Sequence, residues 1–148
     1  MDTLFSLSNL TVMPFWLLMI LAPGWPWTAR LLRSPLVALG PALIYAALVL
    51  PGLGALLPAV MNPKLDTIAA LMGTPRMATV CWVHFLAFDL LVGRWVFLDS
   101  MERRIPWWIT SPTLFFVLML GPLGFLLSLV ARSRFPLPRE GSSPEVAR

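Results

Sequence analysis

Four stretches of the chain, 4–22, 35–57, 77–98 and 112–131, stay apolar long enough for each to cross a bilayer as a helix. A helix rises about 1.5 Å per residue, so about 20 residues span the ~30 Å hydrocarbon layer. Between the runs lie short segments that hold most of the charges. Trp25, Trp27, Trp107 and Trp108 flank the runs, where interfacial aromatics sit. Composition agrees: 58% of residues are hydrophobic, 12% are charged, and mean hydropathy is +0.81. A water-soluble fold of 148 residues could not hide so much apolar surface. The expected fold class is all-α, a polytopic integral membrane four-helix bundle over residues 1–131. A disordered tail, 132–148, follows, with arginines interleaved among Pro, Gly and Ser.

The punctuation refines this plan. A cleavable signal peptide competes for the first run, but Asp2 stands where a basic residue is wanted and Ala22-Pro23-Gly24-Trp25 is a poor cut site, so a retained helix kinked at Pro14 is expected. The second run holds Gly40-Pro41 and Pro51-Gly52-Leu53-Gly54, and either bends and ends near Leu50 or breaks near Pro51. In the second loop, Asn62-Pro63 reads as an N-cap with proline at the first helical position, and Gly73 as a stop. Leu65, Ile68, Ala69 and Met72 then share a face of a short interfacial helix. Gly121-Pro122-Leu123-Gly124 predicts a kink in the fourth helix. Four crossings put both termini on one side, with Lys64, Arg76, Arg132, Arg134, Arg139 and Arg148. Arg30, Arg33, Arg103 and Arg104 lie on the other, and the small excess favours cytoplasmic termini.

The net charge of +4 does not signal nucleic acid, because the basic residues sit in loops and tail between apolar runs. One cysteine, Cys81, allows no intramolecular disulfide, and one cysteine with one histidine makes no zinc set. Haem ligation through His84 and a methionine finds little support from a single histidine. No glycine-rich phosphate loop or dinucleotide motif occurs, so no cofactor is expected. The expected partner is the lipid bilayer, with oligomerisation left open.

The third run carries the candidate chemistry. His84, Asp89 and Arg94 lie inside it, and Asp99 follows. Ionisable groups inside a membrane helix are costly and are functional candidates by default. Their spacing of five turns each roughly 140° from the last. Either each group meets a different neighbour, or a π-bulge brings them into line. Asp89 is near mid-run and too short to snorkel, so it must be paired or neutral. Arg94 could snorkel to headgroups, or hold Asp89 ionised, or anchor a ligand hydroxyl. His84 is a plausible acid–base group or a hydrogen-bonded structural residue. Gly93 and the Gly121/Gly124 pair suit close helix contact. Trp16, Trp82 and Trp95 could stack on an extended apolar ligand or simply pack. Asn9, Trp16, Tyr45, Phe88 and Trp95 are the candidate substrate-binding residues, beside His84, Asp89 and Arg94 as candidate catalytic ones.

The stretch from His84 through Asp89 and Gly93-Arg94-Trp95 to Leu98-Asp99 resembles the signature of the abscisic-acid-deficient-4-like family. Asn9 with Pro14-Phe15-Trp16, and Ser111-Pro112-Thr113 with Leu120-Gly121-Pro122-Leu123-Gly124, extend the resemblance over nearly the whole chain. The family's plant members are plastid membrane proteins required to make neoxanthin from violaxanthin. With no transit peptide, this chain is similar to the bacterial members. The resemblance implies a carotenoid- or xanthophyll-modifying protein, a redox-neutral isomerase of the epoxide-to-allenic-alcohol type. The competing reading is a non-catalytic pigment-binding or scaffold protein, in which His84, Asp89 and Arg94 only hold the bundle together.

Overall fold

The computed structural model describes residues 1–137, which are helical throughout apart from short connections. α1 (Asp2–Leu21) leads into the short α2 (Pro26–Leu32). A helical run over Pro35–Met61 follows, built of a 3-10 turn, α3 (Leu39–Val49), a second 3-10 turn (Leu50–Gly52) and α4 (Leu53–Met61). Then come α5 (Leu65–Met72), α6 (Pro75–Glu102), α7 (Trp107–Leu120) and α8 (Pro122–Arg134). Three runs, Asp2–Leu21, Pro35–Met61 and Pro75–Glu102, are long and apolar enough to cross a membrane. The second passes Pro51 with a tightened turn instead of ending there. Asn62 proves to be the C-cap of α4 and not the N-cap of α5, whose N-cap Lys64 makes no side-chain hydrogen bond. Gly73 does end α5.

α6 is the axis of the fold. It runs to 28 residues because Thr74 caps it, its hydroxyl accepting from Met77 N–H, with Pro75 at the first position. α1 lies parallel to it: Phe5 stacks near Trp82 at 5.5 Å, and Trp16 lies flat against Gly93 eleven residues further along both helices. A methyl group at Gly93 would overlap the Trp16 ring, so glycine is what admits that tryptophan. α3 runs antiparallel, with Tyr45 beside His84 and Leu48 packed with Val80 and Val83. Val12, Trp16 and Met19 of α1, Leu86, Leu90 and Phe97 of α6, and Leu114 and Val117 of α7 form the main core. The outer surface stays apolar: Leu10, Leu17, Leu43 and Leu50 are all more than half exposed. Such a surface suits lipid as the solvent.

The expected fourth crossing over 112–131 is corrected by the structure. α7 and α8 are the two legs of a helical hairpin that reverses at Gly121, whose φ of +24° disfavours any residue with a side chain. Gly124 of α8 packs directly on the backbone of Phe116 and Val117 in α7. Thr110 and Ser128, 18 positions apart, line one small cavity; in a straight helix they would be about 27 Å apart. Each leg is short, α7 having 14 residues and so about 21 Å of length, less than the ~30 Å of a bilayer core. The hydrophobicity of 112–131 therefore does not report its path.

The hairpin's base is tied to the end of α6. There the chain leaves α6 with Arg104 at φ 56°, as Ile105 N–H donates to Ser100 O and Arg104 N–H to Met101 O, a Schellman turn with arginine in the glycine position. Arg103 donates to both oxygens of Asp99 and, through Nη1, to the carbonyl of Phe135 just beyond α8. Arg132 of α8 reaches Asp99 at 3.7 Å and lies over the Trp95 ring. The expected tail thus begins inside a helix, since Arg132 to Arg134 belong to α8. Residues 138–148 of that expected tail lie outside the described residues.

Candidate functional site

α6 is a regular α-helix throughout, so the spacing of five sends its polar groups in different directions. Each meets a different element. His84 is stacked on Phe88 at 4.6 Å, with Tyr45 of α3 on another side at 5.5 Å. Asp89 faces the hairpin tip. Arg94 turns toward α2, and Asp99 holds Arg103 and Arg132.

Arg94 does not hold Asp89. Its Nε donates to Leu32 O at 2.5 Å and its Nη2 to Arg33 O at 2.6 Å. These are carbonyls at the C-terminus of α2, where the helix has no donors of its own left. Arg94 is therefore a side-chain cap that fastens α2 to α6. Trp16 does not line a ligand site: it is 1% exposed, deep in the core against Gly93, and its indole N–H has no partner among the described residues. Trp95 lies at the hairpin's base with Phe125 and Arg132, away from Asp89. Tyr45 does not line the groove but stands beside His84, ring centroids 5.5 Å apart.

The remaining residues converge. A groove of about 630 Å³ runs between α1, α6 and the hairpin tip. Its α6 wall carries Trp82, Phe85, Leu86 and Asp89, the i, i+3, i+4, i+7 stripe of one helix face, with His84 and Phe88 at the rim. Asn9 and Met13 of α1 form the second wall, and Leu118 to Pro122 the third. Asn9 and Trp82 are joined where Trp82 Nε1 donates to Asn9 Oδ1 at 3.2 Å. From Trp82 to Asp89 is seven residues, so the α6 wall is about 10 Å long.

Asp89 is the last of the α6 residues that line this groove. Its carboxylate lies so near Gly121 that a Cβ there would stand 2.6 Å from Oδ1. Gly121 is thus required twice, for the turn and for the carboxylate. Among the described residues Asp89 makes no hydrogen bond or ion pair, so the partner expected for it within the bundle is not found. His84 likewise makes no hydrogen bond among the described residues, and both side chains line the groove. No three His, Cys, Asp or Glu side chains gather as a metal set among the described residues. Trp82, raised from the sequence only as a ring that could stack on a ligand or pack, lines the groove with Phe85 and Met13, which were not candidates. The signal for the first two was the helical stripe drawn from Asp89.

A family model described as ABA DEFICIENT 4-like matches residues 3–127. The chain belongs to the ABA4-like family. It is also similar to the protein ABA DEFICIENT 4, chloroplastic, of Arabidopsis thaliana, at 26% identity over 138 residues. That alignment covers 89% of this chain and 61% of the plant protein's length. No solved structure matches the chain. The matched region takes in α1, all of α6 and the hairpin tip, so every wall of the groove lies within the family's common part.

Proposed function

We propose that this ABA4-like protein is embedded in a membrane and rearranges the oxygenated end group of a carotenoid-like lipid without net oxidation or reduction. The observation that carries the reading is the groove lined by Asp89 and the Gly121 turn, with His84 at its rim. Its length suits one end ring of a long polyene, the rest of which extends through the open side into the bilayer. Asn9, Trp82 and Phe85 grip the ring's approach, and Phe88 backs His84. Family membership supports this substrate class, and the plant relative's role in forming neoxanthin from violaxanthin suggests the reaction.

Such a reaction balances without a cofactor. A proton delivered to the epoxide oxygen opens one C–O bond, and a proton leaving the neighbouring polyene carbon completes the allenic alcohol. Asp89 and His84 are the two groups that can exchange these protons in a site poor in water. Arg94 has no part in it, being committed to α2.

The path of the chain supports three crossings and a hairpin that enters and leaves on one side. That side collects Arg30, Arg33, Arg103, Arg104, Arg132 and Arg134, against Lys64 and Arg76 on the other, among the described residues. Six against two is a firmer bias than the four-crossing count of six against four. It favours α8 on the cytoplasmic side, with the N-terminus across from it. The test of function is purified protein in lipid vesicles with an epoxy-xanthophyll, followed by chromatography of the pigments. Conversion to an isomer of equal mass, lost in Asp89→Asn and His84→Ala, is expected. Conversion that survives both substitutions removes these residues from the mechanism, and absence of both conversion and bound pigment favours a scaffold.

A further inference from the structure

A second concavity lies at the N-terminal end of α6, against the run Pro35–Met61. It measures about 220 Å³ and is lined by Leu48, Val49, Ala55, Leu56, Met77 and Val80, with Thr74 and Arg76 also bordering it. The Arg76 side chain is exposed, and its Nη2 donates to Leu48 O at 3.0 Å. That bond answers a defect in the chain: Pro51 brings no N–H to the 3-10 turn Leu50–Gly52, and the Leu48 carbonyl takes its donor from the arginine. One donor of five is used there, and the guanidinium is held at the border of the cleft. Among the described residues no carboxylate pairs with it.

Depth adds to this. α6 has 28 residues, about 42 Å, against ~30 Å of hydrocarbon, so its second residue lies at headgroup level when Asp89 is near the middle. The apolar walls below Arg76 are at acyl-chain level. The positive end of the α6 dipole points the same way as the guanidinium. We infer that this cleft is a binding site for an anionic phospholipid, its phosphate on Arg76 and the upper part of one acyl chain along Leu56, Met77 and Val80. The site rests on the membrane reading but not on the proposed reaction. A fixed lipid here would brace the run Pro35–Met61 against α6 at its weakest turn.

Native mass spectrometry of the purified protein from mixed micelles of phosphatidylglycerol and phosphatidylcholine tests this. The wild type should retain one phosphatidylglycerol in preference to phosphatidylcholine. Arg76→Gln should lower that preference about fivefold, the worth of one surface arginine toward an anionic headgroup. Arg76→Lys, which keeps the charge, should retain part of it. Ala55→Phe, an exposed position where the ring fills the cleft, should lower it with Arg76 intact and keeps the test open if Arg76→Gln does not fold. Equal retention of both lipids by wild type overturns the site. So does a preference untouched by Ala55→Phe and abolished by millimolar inorganic phosphate, which would mark a bare anion contact with no chain seat.

Discussion

Replacing Gly124 by alanine adds one methyl group where α8 lies on the backbone of α7. In the structure that methyl would fall within the contact distance of Val117 N and Cα and of the Phe116 carbonyl carbon. These are main-chain atoms of a helix and cannot rotate away, so the two legs must separate. Overpacking of this kind costs roughly 1–3 kcal/mol. Alanine returns about 0.5–1 kcal/mol of helix preference over glycine, leaving a net change between about zero and a loss of about 2.5 kcal/mol. If 112–131 were instead one continuous helix, Gly124 would be a mid-helix glycine and alanine would stabilise it by about 0.5–1 kcal/mol. The two arrangements thus differ in sign. Unfolding in mixed detergent micelles, followed by circular dichroism with increasing denaturing detergent, measures the difference. A Gly124→Ala protein more stable than wild type would refute the hairpin packing.

Two other outcomes follow from the same geometry. Asp99→Asn removes the charge that holds Arg103 and Arg132, side chains that fasten α8 to α6, and should destabilise the protein toward the lower end of roughly 3–5 kcal/mol, with α8 the first segment to gain hydrogen exchange; unchanged exchange in α8 would mean that the clamp is idle. In a Cys81→Ala background, single cysteines at Arg33 and Ser133 should label from the same side of sealed vesicles, and one at Lys64 from the opposite side; labelling of Arg33 and Ser133 positions from opposite sides restores a fourth crossing.

The apolar runs were legible because hydrophobicity reports solvent, and the first three runs correspond to the three helices long enough to cross. The ends of α6 were underestimated at 77–98 because Thr74 and Pro75 start it earlier and Asp99 and Glu102 remain helical. The fourth run misled because a glycine–proline step within twenty apolar residues fits a kink and a reversal equally. The choice is made by Gly124 meeting Val117, a contact between residues seven apart that no local pattern encodes. Helix geometry left two readings for the ionisable groups of α6, a different neighbour for each or a π-bulge, and the unbroken α-helix of the structure gives the first. The partners did not follow from helix geometry: Arg94 binds main-chain carbonyls, which every residue possesses, and Asp89 meets a glycine that offers no side chain. Among the aromatics, composition could not rank Trp16 against Trp82. Only the face of α6 that carries Asp89 separates the buried ring from the one lining the groove.

The claim on which the site depends is that the chain reverses at Gly121 and brings that turn to Asp89. Spin labels at Trp108→Cys and Ser133→Cys, in a Cys81→Ala background, read it directly by pulsed dipolar spectroscopy in lipid. These positions stand near the open ends of α7 and α8. Packed helices lie 8–10 Å apart, so with the label tethers the hairpin predicts a separation below about 25 Å. A distance near 38 Å, the length of about 25 residues of continuous helix, would contradict it and dissolve the groove with it.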